Sequence, residues 1–445
     1  MRYIIILITA ILFIFTACKK NDVDQLFDGN PEARVSDTLK LVKDELVSAE
    51  YGWIGGIQTG SRGGYGFYMH FKENDEVEML SDFSDETASE LQSSTYRLSF
   101  NFFTSLVFDT YNYITLMHDP VPGVAGGAAG SGYRSDIEYS FQRISGDSII
   151  FSGKKYKHPL ILIRASKEEQ ESYLNGKLKD FKNQFKEFYN DNYQFAYLGE
   201  EGQSRFGVEL DYDRKSIQIS KINEQSGIDT VIAVPFYYTP NSIELINGPE
   251  WNNKVITGLQ LGSNNALDIV YKDGDREALN TQGLPLYDIT EVFNYNKNFN
   301  KVIWRTIPEV NETKHIYEEM SDLFLASGRQ INEMYFELRS STAARFYIHY
   351  TAISSGSDFI AEATYRYRLE GDRLFITHDE NNGNWDTRST QIRPADELFG
   401  KGNKNDEREF VIEWTTSSDK SVKIPIGAIR SVDTPESLIY GALGK

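Results

Sequence analysis

"RISGDSIIFSGK", Arg143 to Lys154, aligns without gaps on "RLEGDRLFITHD", Arg368 to Asp379. In both stretches alternating polar and apolar residues run into a Gly-Asp pair and out again, which predicts strand, tight turn, strand. A weaker relative, "YTPNSIELING" from Tyr238 to Gly248, carries Pro240 and Asn241 at its turn. The same hairpin pattern therefore recurs in each third of the chain.

Working outward, three segments space their apolar residues as helices do. "SDTLKLVKDELVSAEYGW" puts Leu39, Val42, Leu46 and Ala49 on one face, with Ser36 or Asp37 available as a cap. "LKDFKNQFKEFYNDNY" does the same with Phe181, Phe185 and Phe188, and "NETKHIYEEMSDLFLASG" with Ile316, Met320 and Leu323. Their starts, near Asp37, Leu178 and Asn311, are similarly spaced, and each leads into alternating sequence such as "SRFGVELDYDRKSIQIS" or "REFVIEWTTSSDKSVKIPI". Alternation of this kind marks half-buried antiparallel strands. The first unit carries an additional block from about Asp82 to Gly132. The expected fold is α+β, predominantly antiparallel β sheets or open barrels, each unit preceded by an amphipathic helix, with internal repeats. The expected segments are 1–17 (signal peptide), 18–34 (tether), and β-rich units over 35–168, 169–305 and 306–445.

The apolar run Ile4 to Phe15 follows Arg2 and ends in Thr16-Ala17-Cys18. It is shorter than the ~20 residues that span a bilayer as a helix. Its layout is that of a secretory signal, and a thiol directly after the cut is what a lipoprotein signal requires for a diacylglycerol thioether. Cys18 is the only cysteine among 445 residues, so an internal disulfide and a cysteine-rich metal site are both excluded. A lipid anchor at Cys18 is expected, and the charged stretch "KKNDVDQLFDGNPEA" after it is similar to that of Bacteroidota lipoproteins sent to the surface, which implies the outer membrane, facing the cell surface. A formal net charge of -19 argues against nucleic acid as a partner, because phosphate binding needs clustered Lys and Arg.

Motifs for common chemistries are missing. His70, His118, His158, His315, His349 and His378 are scattered, with no H-E-x-x-H pair, no G-x-S-x-G elbow and no phosphate-binding glycine loop. No cofactor or metal is expected, and the chain reads as non-enzymatic. A carboxylate-pair hydrolase stays open, since 65 acidic residues make any pair uninformative. "DGDRE" (Asp273 to Glu277) and "DENNGNWD" (Asp379 to Asp386) read as turns, the second a hairpin at Asn382-Gly383, and "PGVAGGAAGSGYRSD" (Pro122 to Asp136) as a flexible connector. Aromatic residues near turns and strand ends are candidates for stacking on sugar faces: Trp53, Tyr65, Tyr68, Tyr111, Tyr113, Trp251 and Trp385. The same rings would also serve as β-core filling.

"SAEYGWIGG", "GGYGFYMHFKENDEVEMLSDF", "SSTYRLSF", "LVFDTYNYITLMHDP" and "GSGYRSDIEYSFQRISGDSIIFSGKK" follow one another between about Ala49 and Ala165. In order and wording this stretch resembles Bacteroidota lipoproteins of domain-of-unknown-function family 4302, with departures that include Thr104 and Ser105, near which the family pattern has a proline. The resemblance implies a context of starch-utilisation-type import systems. The partners it implies are a TonB-dependent transporter and its lid lipoprotein, with a glycan or peptide as ligand. It lends no catalytic residue. A structural or adhesion module is the further alternative.

Overall fold

The computed structural model describes residues 31–445 apart from 62, 194, 201–202, 224–226, 263–265, 305–313, 401–405, 418–421 and 423. Cys18 and the 1–17 signal lie outside the described residues. The described strands form three sheets in which neighbours in sequence are, with few exceptions, neighbours in space.

The first unit opens with helix α1 (Pro31–Val47), which starts ahead of Ser36 and Asp37, so neither residue caps it and 31–34 is helix rather than tether. Strands β1 (Trp53–Gln58), β2 (Gly64–Phe71), β3 (Glu76–Ser81), β4 (Gln92–Asn101), β5 (Phe103–Phe108), β6 (Glu138–Ser145), β7 (Ser148–Gly153) and β8 (Pro159–Arg164) follow. They close into a barrel through antiparallel pairing of β1 with β8. The block after Asp82 supplies β4, β5 and two short helices, α2 (Tyr113–Leu116) and α3 (Pro122–Ala125). Because strand side chains alternate, Trp53, Phe67, Met69, Tyr96, Phe108 and Phe151 all turn inward, where Val42 and Leu46 of α1 join them in one core. The interior of an eight-stranded barrel is just wide enough for side chains to fill it.

The second unit begins with α4 (Lys167–Leu174) and α5 (Lys177–Asn192). Its strands are β9 (Ala196–Leu198), β10 (Arg205–Asp211), β11 (Ser216–Asn223), β12 (Gly227–Tyr238), β13 (Ser242–Leu245), β14 (Glu250–Trp251), β15 (Lys254–Leu261), β16 (Leu267–Tyr271) and β17 (Arg276–Ala278). A two-way backbone pair between Tyr197 and Asn280 (2.9 and 2.8 Å) ties the ends of the sheet together. Leu178, Phe181, Phe185 and Tyr189 of α5 pack into its core, while Phe188 is half-buried beside it.

The third unit departs from the expected helix-first order. Strand β18 (Lys301–Trp304) comes before the helix and pairs with both β20 and the last strand, β26. The short β19 (Lys314–His315) leads into α6 (Ile316–Ala326), then β20 (Arg329–Leu338), β21 (Ala343–Ala352), β22 (Ser357–Glu370), β23 (Arg373–Asn381), α7 (Gly383–Thr387), α8 (Ser389–Phe399), β24 (Glu407–Thr415), β25 (Ile426–Ser431) and β26 (Ser437–Gly444). Both aligned Gly-Asp pairs are hairpin turns, with Gly146 at φ +57° and Gly371 at φ +63°.

Two local expectations are corrected. Asn382-Gly383 is not a hairpin turn: the Asn382 side chain accepts the Trp385 N–H (2.9 Å) and caps α7, which is asparagine's other strong preference. The glycine-rich stretch is not a loose connector either. Tyr133 N–H bonds to Met117 O (2.9 Å) and Gly60 N–H to Arg134 O (3.1 Å), folding the loop over the barrel end. A Cβ on Gly132 would sit 2.7 Å from the Asp119 carbonyl oxygen, so glycine allows this close return.

Candidate functional site

The seven aromatic candidates do not converge. Trp53 is wholly buried, its indole N–H donating to Leu46 O (2.8 Å) beneath the Arg164 guanidinium. Tyr65 packs against Phe83 and Tyr133. Tyr68 stacks on Tyr173 at 5.3 Å, and its hydroxyl donates to Tyr51 O (3.0 Å). Tyr113 is buried with its hydroxyl on Glu90 O (2.8 Å), and Trp385 is buried with its indole on Asp396 Oδ1 (2.9 Å). Tyr111 is 55% exposed. Trp251 packs on Phe206 at the edge of a polar cavity of about 740 Å³. Six of these rings are therefore core material rather than exposed stacking platforms: Trp53, Tyr65 and Tyr113 fill the first core, Tyr68 and Trp251 the second and Trp385 the third, as large aromatic side chains commonly do.

A different constellation emerges where the first barrel meets the second unit. On β1 and β2, Gly56 and Gly66 stand directly opposite each other. The bare patch they leave receives the Tyr237 ring, so that a Cβ on Gly66 would lie 2.6 Å from Tyr237 Cδ2 and one on Gly56 closer still. Gly64 lies against the backbone of Phe236, 2.8 Å from its nitrogen if a Cβ were added. The end of β12 is thus laid flat across the barrel wall.

Asp82 fastens this contact. Its carboxylate accepts the Gly66 N–H (2.9 Å) from the barrel and the Tyr238 N–H (2.7 Å) from the second unit, and pairs with the Lys215 ammonium. Asp82 is wholly buried and the Lys215 side chain nearly so. The ammonium also faces the rings of Tyr65 (4.8 Å) and Tyr238 (5.3 Å), a favourable cation–π placement. Burial pushes the Lys215 pKa down, against the pull of Asp82. Lys215 takes a left-handed φ of +46°, which lets its carbonyl accept both Gly64 N–H (3.3 Å) and Phe236 N–H (3.1 Å).

Beside this joint opens a cleft of about 470 Å³, within the range of small-ligand sites. Ile54, Ile163 and Arg164 form the barrel side, Glu168, Glu169 and Ser172 come from α4, and Tyr237, Thr239 and Glu244 from the second unit. Ser242 donates to Glu244 Oε1 (2.6 Å) and shares a hydrogen bond with Thr239 (2.7 Å). Glu169 is engaged as the helix cap of α4, accepting Ser166 N–H (2.8 Å). Burial is the main cause that raises the Glu244 pKa; the Ser242 hydroxyl works against it and Glu169 with it. Burial likewise holds the Tyr237 phenol in its neutral form well above its usual range, with Glu244 and Asp82 adding to the effect. The cleft therefore sets hydroxyls and carboxyls opposite Ile54 and Ile163, with the cations Arg164 and Lys177 also in its lining.

A raised carboxyl pKa binds its proton more tightly in the folded than in the unfolded state. Its stabilising contribution is full below the ordinary value of 4.5 and is lost as pH rises through the folded value. Glu244→Gln removes that loss, so the variant is expected to melt above the parent at neutral pH, with the gap closing as pH falls toward 4.5. Paired thermal melts across that range check it; a gap independent of pH would contradict it.

Neither Tyr237 nor Glu244 carries a motif. The alternating glycines of "GYGFY" (Gly64 to Tyr68) were the available signal, since a barrel strand that omits outward side chains invites another element onto it.

No curated protein matches the chain. Among solved structures, a DNA polymerase III subunit beta sliding clamp from Bartonella birtlesii LL-WM9 aligns at 11% identity over 93% of this chain and 98% of the other, with a TM-score of 0.13. DNA polymerase III subunit beta from Borrelia burgdorferi in complex with a natural product aligns at 10% identity over 79% and 95%, with a TM-score of 0.11. Scores this low carry no argument. A family model does match, over residues 23–263, a stretch that holds the whole first barrel, the joint at Asp82 and every residue lining the cleft. The chain belongs to the family described as Domain of unknown function (DUF4302).

Proposed function

We propose that this is a non-enzymatic ligand-binding lipoprotein, held through Cys18 in the outer membrane and facing the cell surface. There it captures a glycan or peptide nutrient for a TonB-dependent transporter and its lid lipoprotein. The observation that carries the binding role is the cleft at the joint, where hydroxyls and the half-buried Glu244 carboxylate face Ile54 and Ile163. Hydroxyl and amine donors of such nutrients would bond to Glu244, Ser242 and Thr239, and their apolar faces would lie on Ile54 and Ile163. Calorimetric titration of the mature chain with oligosaccharide and peptide panels tests this. For a ligand so found, Glu244→Gln is expected to weaken binding roughly tenfold to a hundredfold, the worth of a hydrogen bond to a charged group. Unchanged affinity would remove the cleft from the reading.

One observation favours a second reading. Glu244, with its raised pKa, lies within electrostatic reach of Glu169, and two carboxyls flanking one cleft can hydrolyse glycosides. Turnover of any panel member that Glu244→Gln abolishes would select hydrolysis over binding.

The anchor has its own test. Cys18→Ala is expected to leave the fold intact and move the protein from the membrane to the soluble fraction, because stable anchoring depends on the acyl chains. Unchanged fractionation would remove the lipoprotein assignment.

A further inference from the structure

The tip joining β4 to β5 exposes three phenylalanines in four residues: Phe100 is 47%, Phe102 85% and Phe103 64% exposed. Asn101 pairs with Phe103, which leaves Phe102 alone at the apex with φ +67°. Glycine or asparagine takes this left-handed conformation readily, whereas a bulky residue there is an outlier. An aromatic ring is therefore held in water, on a backbone that disfavours it, with nothing in the fold gaining from its burial. Strain of this kind points toward a use outside the fold.

Two further observations say what that use is. The shallow grooves flanking the tip are lined by Phe141, by polar side chains and by the cations Arg34, Lys154 and Lys157, with no carboxylate among the described lining residues. In a chain of net charge -19 this is a local reversal, although Lys154 is also paired with Glu138. Second, Arg34, Val35 and Thr38 of the first turns of α1 line the same groove as Phe100, Phe102 and Phe103. Helix α1 thus begins beside the tip. Pro31 is thirteen residues after Cys18, a reach of at most about 45 Å when fully extended.

We infer that the Phe100–Phe103 tip docks into the interfacial zone of the lipid bilayer. The three rings would insert below the headgroups, while Lys157 meets the phosphates. This is the arrangement by which apolar side chains rimmed with cations bind membrane surfaces. The inference rests on the anchored reading for which membrane is met, since one acyl-anchored terminus and one aromatic tip on the same side would together fix the barrel's orientation. It would hold the cleft in a constant direction relative to the bilayer.

The test separates tip from anchor. The mature chain with Cys18→Ser has no cysteine, so Phe102→Cys creates a single site for an environment-sensitive dye. Ser355→Cys, on an exposed turn of the third unit, gives the control. With phosphatidylethanolamine vesicles containing a minor fraction of phosphatidylglycerol, the dye at 102 is expected to shift to the blue and the dye at 355 to stay unchanged. In cosedimentation, the chain carrying Phe100→Ser, Phe102→Ser and Phe103→Ser is expected to partition at least roughly tenfold less than its parent, given the transfer energy of exposed rings, with an unchanged melting curve. No shift at 102, equal shifts at both sites, or equal partitioning of the two chains overturns the inference. So does a shift at 102 produced only by added membrane proteins, which would assign the tip to a protein partner. Because no acyl group is present in any arm, these outcomes are independent of the Cys18 fractionation result.

Discussion

Asp82→Ala is expected to destabilise the first two units by ~3–5 kcal/mol, the cost of stripping one partner from a buried charge pair. The substitution leaves the Lys215 ammonium enclosed by Tyr65, Phe236 and Tyr238 with no counter-charge, and it orphans the N–H groups of Gly66 and Tyr238. Lys215 can escape by losing its proton. Its pKa is already lowered by burial, and Asp82 is the group that holds it up, so the variant's lysine would fall further. A folded-state pKa below 10.5 means that the unfolded chain holds the proton more tightly. In the window between the two values stability through this group rises with pH, and the window widens in Asp82→Ala. Its deficit in urea unfolding should therefore shrink as pH is raised from neutral toward 10. Asp82→Asn combined with Lys215→Met removes the charge and keeps an acceptor for one N–H, and it should recover most of the loss, because neutral replacements of buried pairs are commonly tolerated. If Asp82→Ala costs less than about 1 kcal/mol, on the scale of an exposed pair, the joint is not dry and the description of it given above is wrong.

How far the sequence discloses this architecture depends on the range of the interactions involved. Periodicity is local, so the apolar faces through Val42, Leu46, Phe181, Phe185, Ile316 and Met320 and the two Gly-Asp hairpins were legible directly. Closure is not local. Whether β1 meets β8, or Tyr197 meets Asn280, depends on strand tilt and register that no window of sequence contains, and open and closed barrels read alike. The joint is further out of reach, since Asp82 and Lys215 are 133 residues apart and each looks like a surface charge beside a turn. The aromatic candidates failed for a related reason. A ring near a strand end is exposed or buried according to which face the pleat turns inward, as at Trp53, and Trp385 is buried instead by the helix that Asn382 caps. The tip at Phe102 escaped notice because "FNFF" reads as more strand; only the apex geometry at Asn101 and Phe103 separates it from the core.

The glycines of β2 offer the second large effect. In a strand interior glycine costs stability through backbone entropy, so Gly64→Ala or Gly66→Ala would on propensity alone be neutral or helpful. The joint reverses the sign. At Gly64 the added methyl meets Phe236 backbone atoms, its nitrogen at 2.8 Å, and backbone cannot step aside. At Gly66 it meets the Tyr237 ring and, at 2.9 Å, the Tyr238 carbonyl oxygen. Relief requires β12 to lift from the barrel, which lengthens the Tyr238 N–H bond to Asp82 and opens the cleft whose wall includes Tyr237. Gly64→Ala is therefore expected to cost ~1–3 kcal/mol, in the range for overpacked cores, and Gly64→Val more. The control is Gly123, whose added Cβ meets nothing within 4 Å; Gly123→Ala should leave stability within about 0.5 kcal/mol. Any ligand identified for the cleft should bind Gly64→Ala more weakly than the parent even below its melting temperature, because the wall is displaced before the fold is lost. Gly64→Ala melting at or above the parent, with ligand affinity intact, would mean that β12 sits loosely on the barrel and that the two units are held by Asp82, Lys215 and the Tyr68–Tyr173 stack rather than by this close approach.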